Sequence, residues 1–180
     1  LYNLRDLDAP WEQDQRSVMV TWLPVFHDMG LIYGLLGPLY RGYRCVQMSP
    51  MAFIQRPIRW LRAITAYGGT HSAAPNFAYE HCVRKIRPAD RAELDLRTWR
   101  MTLNAAEPIR VETMERFAEL TTQFLGRAPM PLGWIPYDAH VRAAARSQSP
   151  VIRQSAPLRA AFSGLASELA PLLPTLNAAA

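Results

Sequence analysis

Ser17-Val-Met-Val-Thr-Trp-Leu23-Pro24 opens the stretch whose order decides the fold. Its β-branched and aromatic residues read as a strand. Pro24, with no N–H to give to a ladder, ends it. Gly30 to Tyr40 then reads as a buried helix or helical turn, interrupted at Gly37-Pro38, and Arg44-Cys-Val-Gln-Met-Ser49 reads as a second strand. Pro57 opens a helix at a position where a missing N–H costs nothing. Ile58, Trp60, Leu61 and Ile64 form its apolar stripe, and Gly68-Gly69 stops it. Thr70 to Ala74 is a short strand, Asn76 is placed to cap a helix over 77–86, and Pro88 breaks that helix. Arg100 to Ala105 is a further strand, with Met101 and Leu103 on one face. Val111, Met114, Phe117, Leu120 and Phe124 recur at helical spacing up to Gly126. Strand–helix alternation of this kind predicts an α/β fold with a parallel sheet covered by helices. Ligands of such sheets bind beyond the carboxyl ends of the strands. The loops 24–30, 73–76 and 104–108 are therefore the places to search for a site.

The chain has 180 residues, with a hydrophobic fraction of 49%, enough for one domain with a real core. Its formal net charge is +5. The positive residues are scattered without a run of five or six, so solvated arginines on helix faces explain the charge better than nucleic acid. Only Lys85 among the 20 basic residues is a lysine, a bias that points to a GC-rich coding sequence more than to chemistry. Cys45 and Cys82 make no metal or disulfide framework. They read as buried free thiols in a reducing, cytoplasmic compartment. No signal peptide starts at Leu1, and the apolar stretch 29–40 is too short to span a bilayer.

Character changes after about Leu125. Residues 126–180 hold thirteen Ala, seven Pro and five Arg against Asp138 and Glu168. The expected division is therefore a first segment over 1–125 and an Ala/Pro/Arg-rich tail over 126–180, with a helix at 158–173 that has no clear partner. A frameshift or a rearranged gene end would give a tail foreign to the domain before it; a divergent linker is the competing reading.

Three loops hold residues able to do chemistry. Trp22-Leu-Pro-Val-Phe-His27-Asp28-Met29-Gly30 places a His-Asp pair after a strand. Histidine changes charge near neutral pH, so the pair reads as an acid–base couple or as metal ligands. A metal-dependent phosphohydrolase would need more ligands, and His71, His81 and His140 lie at no diagnostic spacing. Read locally, His27 is a loop residue bonded to backbone. Ser72-Ala73-Ala74-Pro75-Asn76-Phe77 puts small residues at a strand end, where a ligand can approach, but it contains no Gly-x-Ser-x-Gly nucleophile elbow. Asn104-Ala105-Ala106-Glu107-Pro108 repeats the pattern, with an acid near a helix N-terminus. Locally both are tight strand–helix turns. Neither G-x-x-x-x-G-K-[ST] nor G-x-G-x-x-G occurs, and the aromatics lack RNA-binding clustering.

Taken together, the order of these blocks is specific. Trp22-Leu-Pro-x-x-His27-Asp28-Met29-Gly30-Leu31-Ile32 is followed by Pro38-Leu39-Tyr40-x-Gly42. Met48-Ser49-Pro50-x-Ala52-Phe53-x-Gln55-Arg56-Pro57-x-Arg59-Trp60-Leu61 comes next, then Ser72 to Tyr79. Leu94-Asp95-Leu96-x-x-Trp99 and Asn104 to Arg110 complete the series. This series, from about Val18 to Leu120, resembles the fatty acyl-AMP ligases of the acyl-adenylate-forming superfamily. The resemblance implies an internal piece of the large N-terminal domain. It also implies the reaction of a fatty acid with ATP and Mg2+ to acyl-AMP and pyrophosphate, followed by transfer to an acyl carrier protein, commonly ahead of polyketide or lipopeptide synthesis.

By that resemblance His27, with Asp28, Met29 and Gly30, stands beside the acyl carboxylate and the pantetheine entrance. Ala73, Ala74, Asn76 and Phe77 resemble the wall of the acyl tunnel and the nearby nucleotide pocket, and Asn104, Ala105, Ala106, Glu107 and Pro108 the segment that packs on adenine. Ala105 stands where the family commonly has glycine. The family's phosphate loop, its Tyr-Gly-x-Ala-Glu segment, its ribose-binding Asp and its catalytic Lys have no counterpart in these 180 residues. Leu125-Gly-Arg-Ala-Pro-Met-Pro-Leu-Gly-Trp134 stands where the Tyr-Gly segment is expected. The expectation is an inactive fragment with no catalytic residue of its own, whose sheet edges leave it marginally stable. The alternative is a remnant that binds acyl groups or nucleotides, or docks a carrier, without chemistry.

Overall fold

The computed structural model describes residues 13–131, 133, 135, 138–147 and 155–169. The chain divides into two compact units, Leu1–Pro129 and Met130–Ala180. The first is an α/β layer built on four short strands: β1 (Val18–Thr21), β2 (Arg44–Gln47), β3 (His71–Ala74) and β4 (Met101–Asn104). Their order is β2-β1-β3-β4 and every pairing is parallel. Val18 lies opposite Arg44, Met19 opposite His71, and Ala74 opposite Asn104. All four strands therefore end on one edge, and the loops after β1, β3 and β4 leave from it.

The helix after β1 differs from its sequence reading. It runs without a break through α1 (Asp28–Leu31), a π-helical segment (Ile32–Leu36) and α2 (Gly37–Arg41). Pro38 has no N–H, and in an α-helix its ring would strike the carbonyl four residues back. The wider π turn absorbs it, with the Gly37 N–H donating to the carbonyl of Ile32, five residues back. Nor is this helix buried. Gly30, Gly34 and Pro38 face inward, but Leu31, Leu35, Leu36, Leu39 and Tyr40 are exposed, Leu39 to 72%.

A further helix, α3 (Pro50–Gln55), is too short to show a helical period in the sequence. Ser49 caps it by accepting from the Ala52 N–H, and Pro50 takes its first turn. The helix α4 (Ile58–Tyr67) buries Ile58, Trp60, Leu61 and Ile64 and ends on Gly68 at φ +64, as its periodicity predicts. Helix α5 (Asn76–Lys85) follows β3, a 3-10 turn spans Pro88–Arg91, and α6 (Val111–Leu125) ends on Gly126.

Aromatic rings fill the space between sheet and helices. Trp60 is fully buried and meets Phe53, Tyr79, Trp99 and Phe117 at centroid distances of 5.5–6.2 Å. Each such ring pair contributes roughly 0.5–1.5 kcal/mol beyond its buried area. The polar atoms of Trp60, Tyr79 and Trp99 are matched, whereas Trp22 Nε1 is buried without a partner among the described residues. Trp60 Nε1 donates to Ser72 Oγ (3.0 Å), and Ser72 Oγ donates to the carbonyl of Val20 (2.6 Å), which ties α4, β3 and β1 together. Tyr79 Oη donates to the carbonyl of Leu103. Cys82 is buried and Cys45 half-buried; burial pushes the Cys45 thiol up to about 11 and the Cys82 thiol higher still.

In the second unit the described residues form two helices, α7 (His140–Arg146) and α8 (Ala156–Leu169). The sequence reading placed a single helix at 158–173, of which 170–173 lie outside the described residues. Asp138 accepts from the His140 N–H at the start of α7 and from the hydroxyl of Ser155, which in turn accepts from the Leu158 N–H at the start of α8. Ala144 and Leu158 are buried.

Candidate acyl-adenylate site at the carboxyl edge of the sheet

The loop after β1 is built around its caps. His27 Nδ1 and Asp28 Oδ1 both lie within reach of the Met29 N–H, at 3.2 and 2.7 Å, and the two side chains sit 2.9 Å from each other. This is the local role the sequence allowed for His27, a residue bonded to backbone, here at the start of α1. His27 is about half exposed and Asp28 mostly exposed, while Met29 and Gly30 are buried. Gly30 is required by packing. A methyl group there would stand 2.2 Å from the carbonyl oxygen of Pro24, closer than any side chain tolerates.

The loops after β3 and β4 are locked to each other. Asn76 was expected to cap its own helix, but it does not. Its buried Oδ1 accepts from Asn104 Nδ2 and from the Arg110 N–H, each at 3.1 Å. The N-terminus of α5 is satisfied instead from the neighbouring loop, with the Phe77 N–H donating to Glu107 Oε1. Glu107 does lie at a helix N-terminus, but that of the preceding helix in the chain. Asn104 Nδ2 also touches Met114 Sδ, and Asn104 Oδ1 is a buried acceptor with no hydrogen-bond partner among the described residues. Ala106 is exposed and sits at φ +72, a conformation that side chains with a Cβ rarely adopt. Pro108 is exposed beside it.

Thus the structure brings Asn76, Phe77, Asn104 and Glu107 into one bonded cluster. His27 and Asp28 stand apart on the β1 loop. The link between the two regions is Trp22, whose ring meets Phe77 edge-on at 5.9 Å and stacks on Phe53 at 4.1 Å. Ala73 and Ala74 are fully buried in the core of the unit. Trp22, Phe53, Arg110 and Met114 were not among the candidate residues. Trp22 and Phe53 stand in the blocks of the resemblance, whereas the contribution of Arg110 is a backbone N–H that no sequence pattern reveals. Between the ends of β1 and β2 lies an open hollow of about 390 Å³ lined by Pro24, Val25, Phe26, Gln47, Met48, Ser49 and Pro50.

A match to the AMP-binding enzyme family covers residues 1–128. The chain belongs to that family. It is 54% identical over 107 residues to the medium-chain-fatty-acid–[acyl-carrier-protein] ligase JamA of Moorena producens, a span of 59% of this chain and 18% of the relative. It is 42% identical over 115 residues to TtuA of Teredinibacter turnerae, which carries the same description, covering 64% of this chain and 18% of that one. Its fold superposes with a TM-score of 0.67 on a fatty acyl-adenylate ligase from L. pneumophila in complex with acyl adenylate and pyrophosphate. That likeness, at 42% identity, covers 69% of this chain and 22% of the other. The chain thus spans about a fifth of the length of the relatives it matches. The parallel sheet expected from the sequence is shared with these adenylate-forming enzymes.

The described residues fit the groups of an adenylate unevenly. Residues 106–108 are exposed at the end of β4, where a flat ring can pack against them, whereas Asn104 Oδ1 is shielded from solvent. Among the described residues no three His, Cys, Asp or Glu side chains stand together. Also among the described residues, no helix is long and apolar enough to cross a membrane.

Proposed function

We propose that this chain is a segment of a fatty-acid-adenylating enzyme and forms one wall of its acyl-adenylate site. In the reaction a carboxylate oxygen of the fatty acid attacks the α-phosphorus of ATP, the bond to the β-phosphate oxygen breaks, and pyrophosphate leaves. ATP supplies the activated phosphorus and Mg2+ the counter-charge. The acyl group then passes to the thiol of a carrier protein.

The part of this chain is placement. Asn104 to Pro108 forms the floor against which adenine packs, and Phe77, with Asn76 behind it, forms the side towards the acyl chain. His27, held at the start of α1, faces the acyl carboxylate and the thiol entrance. The observation that carries the reading is the Asn76 lock: one buried amide fixes the β3 and β4 loops relative to each other at the edge where such sheets bind ligands. Electrostatic stabilisation of a transferring phosphate needs cationic or metal groups at the phosphate, and no step through them is assigned to these residues. The 180 residues by themselves are therefore inactive as a ligase.

The test is fatty-acid-dependent ATP–pyrophosphate exchange by the purified chain with a panel of medium and long acids. No exchange above buffer is expected. Exchange that rises with a particular fatty acid would show that the groups held indispensable are not.

A further inference from the structure

Between Asp28 and Glu80 the sequence contains no acidic residue and five arginines: Arg41, Arg44, Arg56, Arg59 and Arg62. The fold gathers three of them. Arg59 and Arg62 project from the outer face of α4, whose other side is the buried stripe Ile58, Trp60, Leu61 and Ile64. Arg56 precedes them in the turn between α3 and α4, where the Arg59 N–H donates to its carbonyl at 3.0 Å and the Arg59 guanidinium donates to the carbonyl of Ala52 at 3.1 Å. All three are exposed, and none makes an ion pair within 4.0 Å among the described residues. Asp90, whose charge Arg56 feels through space, is already bonded to Arg87 at 2.9 Å. On α3, Met51 and Ile54 are 58% and 45% exposed.

Three exposed arginines without an ion pair among the described residues, next to two exposed apolar side chains, suit an interface. Arg and Met are enriched at protein contacts, and opposite charge on a partner steers its approach. The location matters equally. Helix α3 starts from the end of β2, and Pro50 lines the same hollow as Phe26, next to His27. We propose that Met51, Ile54, Arg56, Arg59 and Arg62 form the docking surface for an acidic protein partner, the carrier that receives the acyl group. The partner's chemistry follows from charge complementarity: a carboxylate-rich surface with an apolar side chain at its centre. Naming it the carrier rests on the proposed function, in which a thiol must approach beside His27.

The experiment measures binding of the intact chain to a purified apo acyl carrier protein, which lacks the phosphopantetheine arm, by fluorescence anisotropy at 50 and 300 mM salt. Phosphatidylglycerol vesicles serve as an anionic comparison. Arg56→Glu/Arg62→Glu is expected to weaken carrier binding at least tenfold. Arg56→Gln/Arg62→Gln should have an intermediate effect, and higher salt should weaken the unaltered chain. Circular dichroism checks that the exposed substitutions leave the fold unchanged. No carrier binding by the unaltered chain, binding indifferent to charge reversal, or tighter binding to vesicles than to carrier would each overturn the proposal. Because the assay contains neither nucleotide nor fatty acid, its failure is separate from any result of the exchange assay.

Discussion

Replacing Asn76 by alanine removes the acceptor that holds two loops together. The Arg110 N–H loses its partner in a half-buried setting, and stranding such a donor costs about 1–3 kcal/mol. Asn104 Nδ2 keeps Met114 Sδ, a weak acceptor, so its loss is smaller, about 0.5–1.5 kcal/mol. The sum is about 1.5–4.5 kcal/mol. With a urea dependence of about 2 kcal/mol per molar, the unfolding midpoint should fall by about 1–2 M. Tryptophan fluorescence is a suitable reporter, since Trp22 stacks on Phe53 and meets Phe77 next to the substitution. Asn76→Asp is the informative control. It keeps an acceptor for both donors and places a negative charge in the first turn of α5, where the helix field favours it. It should lose less than half as much as alanine. The reasoning is refuted if Asn76→Ala shifts the midpoint by less than about 0.3 M, or if aspartate costs as much as alanine. Either result would mean that the amide fills space and does not lock the loops.

Three further outcomes are expected. Gly30→Ala should destabilise by about 1–3 kcal/mol, because the new methyl meets backbone that cannot rotate away; an unchanged urea midpoint would contradict this. Ala106→Gly should stabilise by about 1 kcal/mol by relieving the left-handed backbone, and a lower midpoint in the variant would show that the conformation is not strained. Arg97 beside Asp95 holds its carboxyl well below the usual 3.8, at about 2. A carboxylate with a depressed folded-state pKa stabilises above its unfolded value, and that contribution is lost as pH falls from about 4 through about 2. Asp95→Asn should therefore flatten the loss of stability between pH 4 and 2, and an identical acid profile would exclude the pair as its source.

How far the sequence could be read depends on the range of the forces involved. All four strands were legible because β-branched or small runs bounded by Pro and Gly carry their own signal, and Ile58 to Ile64 announced a buried stripe. Helix α3 was not legible because Pro50 to Gln55 is too short for a helical period, although Ser49-Pro50 holds the cap and the first-turn proline. The Gly37-Pro38 pair reads as a break because local rules do not anticipate a π turn. Asn76 is the instructive error. A capping residue and a long-range acceptor look identical in sequence, and only the parallel pairing of β3 with β4 brings Asn104 and Arg110 to its side chain. The candidate residues themselves were legible as blocks, whereas their bonding was not.

If residues 18–120 form the proposed wall of an acyl-adenylate site, they should serve in place of the homologous segment of an active relative such as JamA, read by fatty-acid-dependent ATP–pyrophosphate exchange. A folded chimera whose exchange stays within about tenfold of the parent is expected, since a tenfold change is only about 1.4 kcal/mol in the barrier. A folded chimera with no exchange would overturn the proposed site.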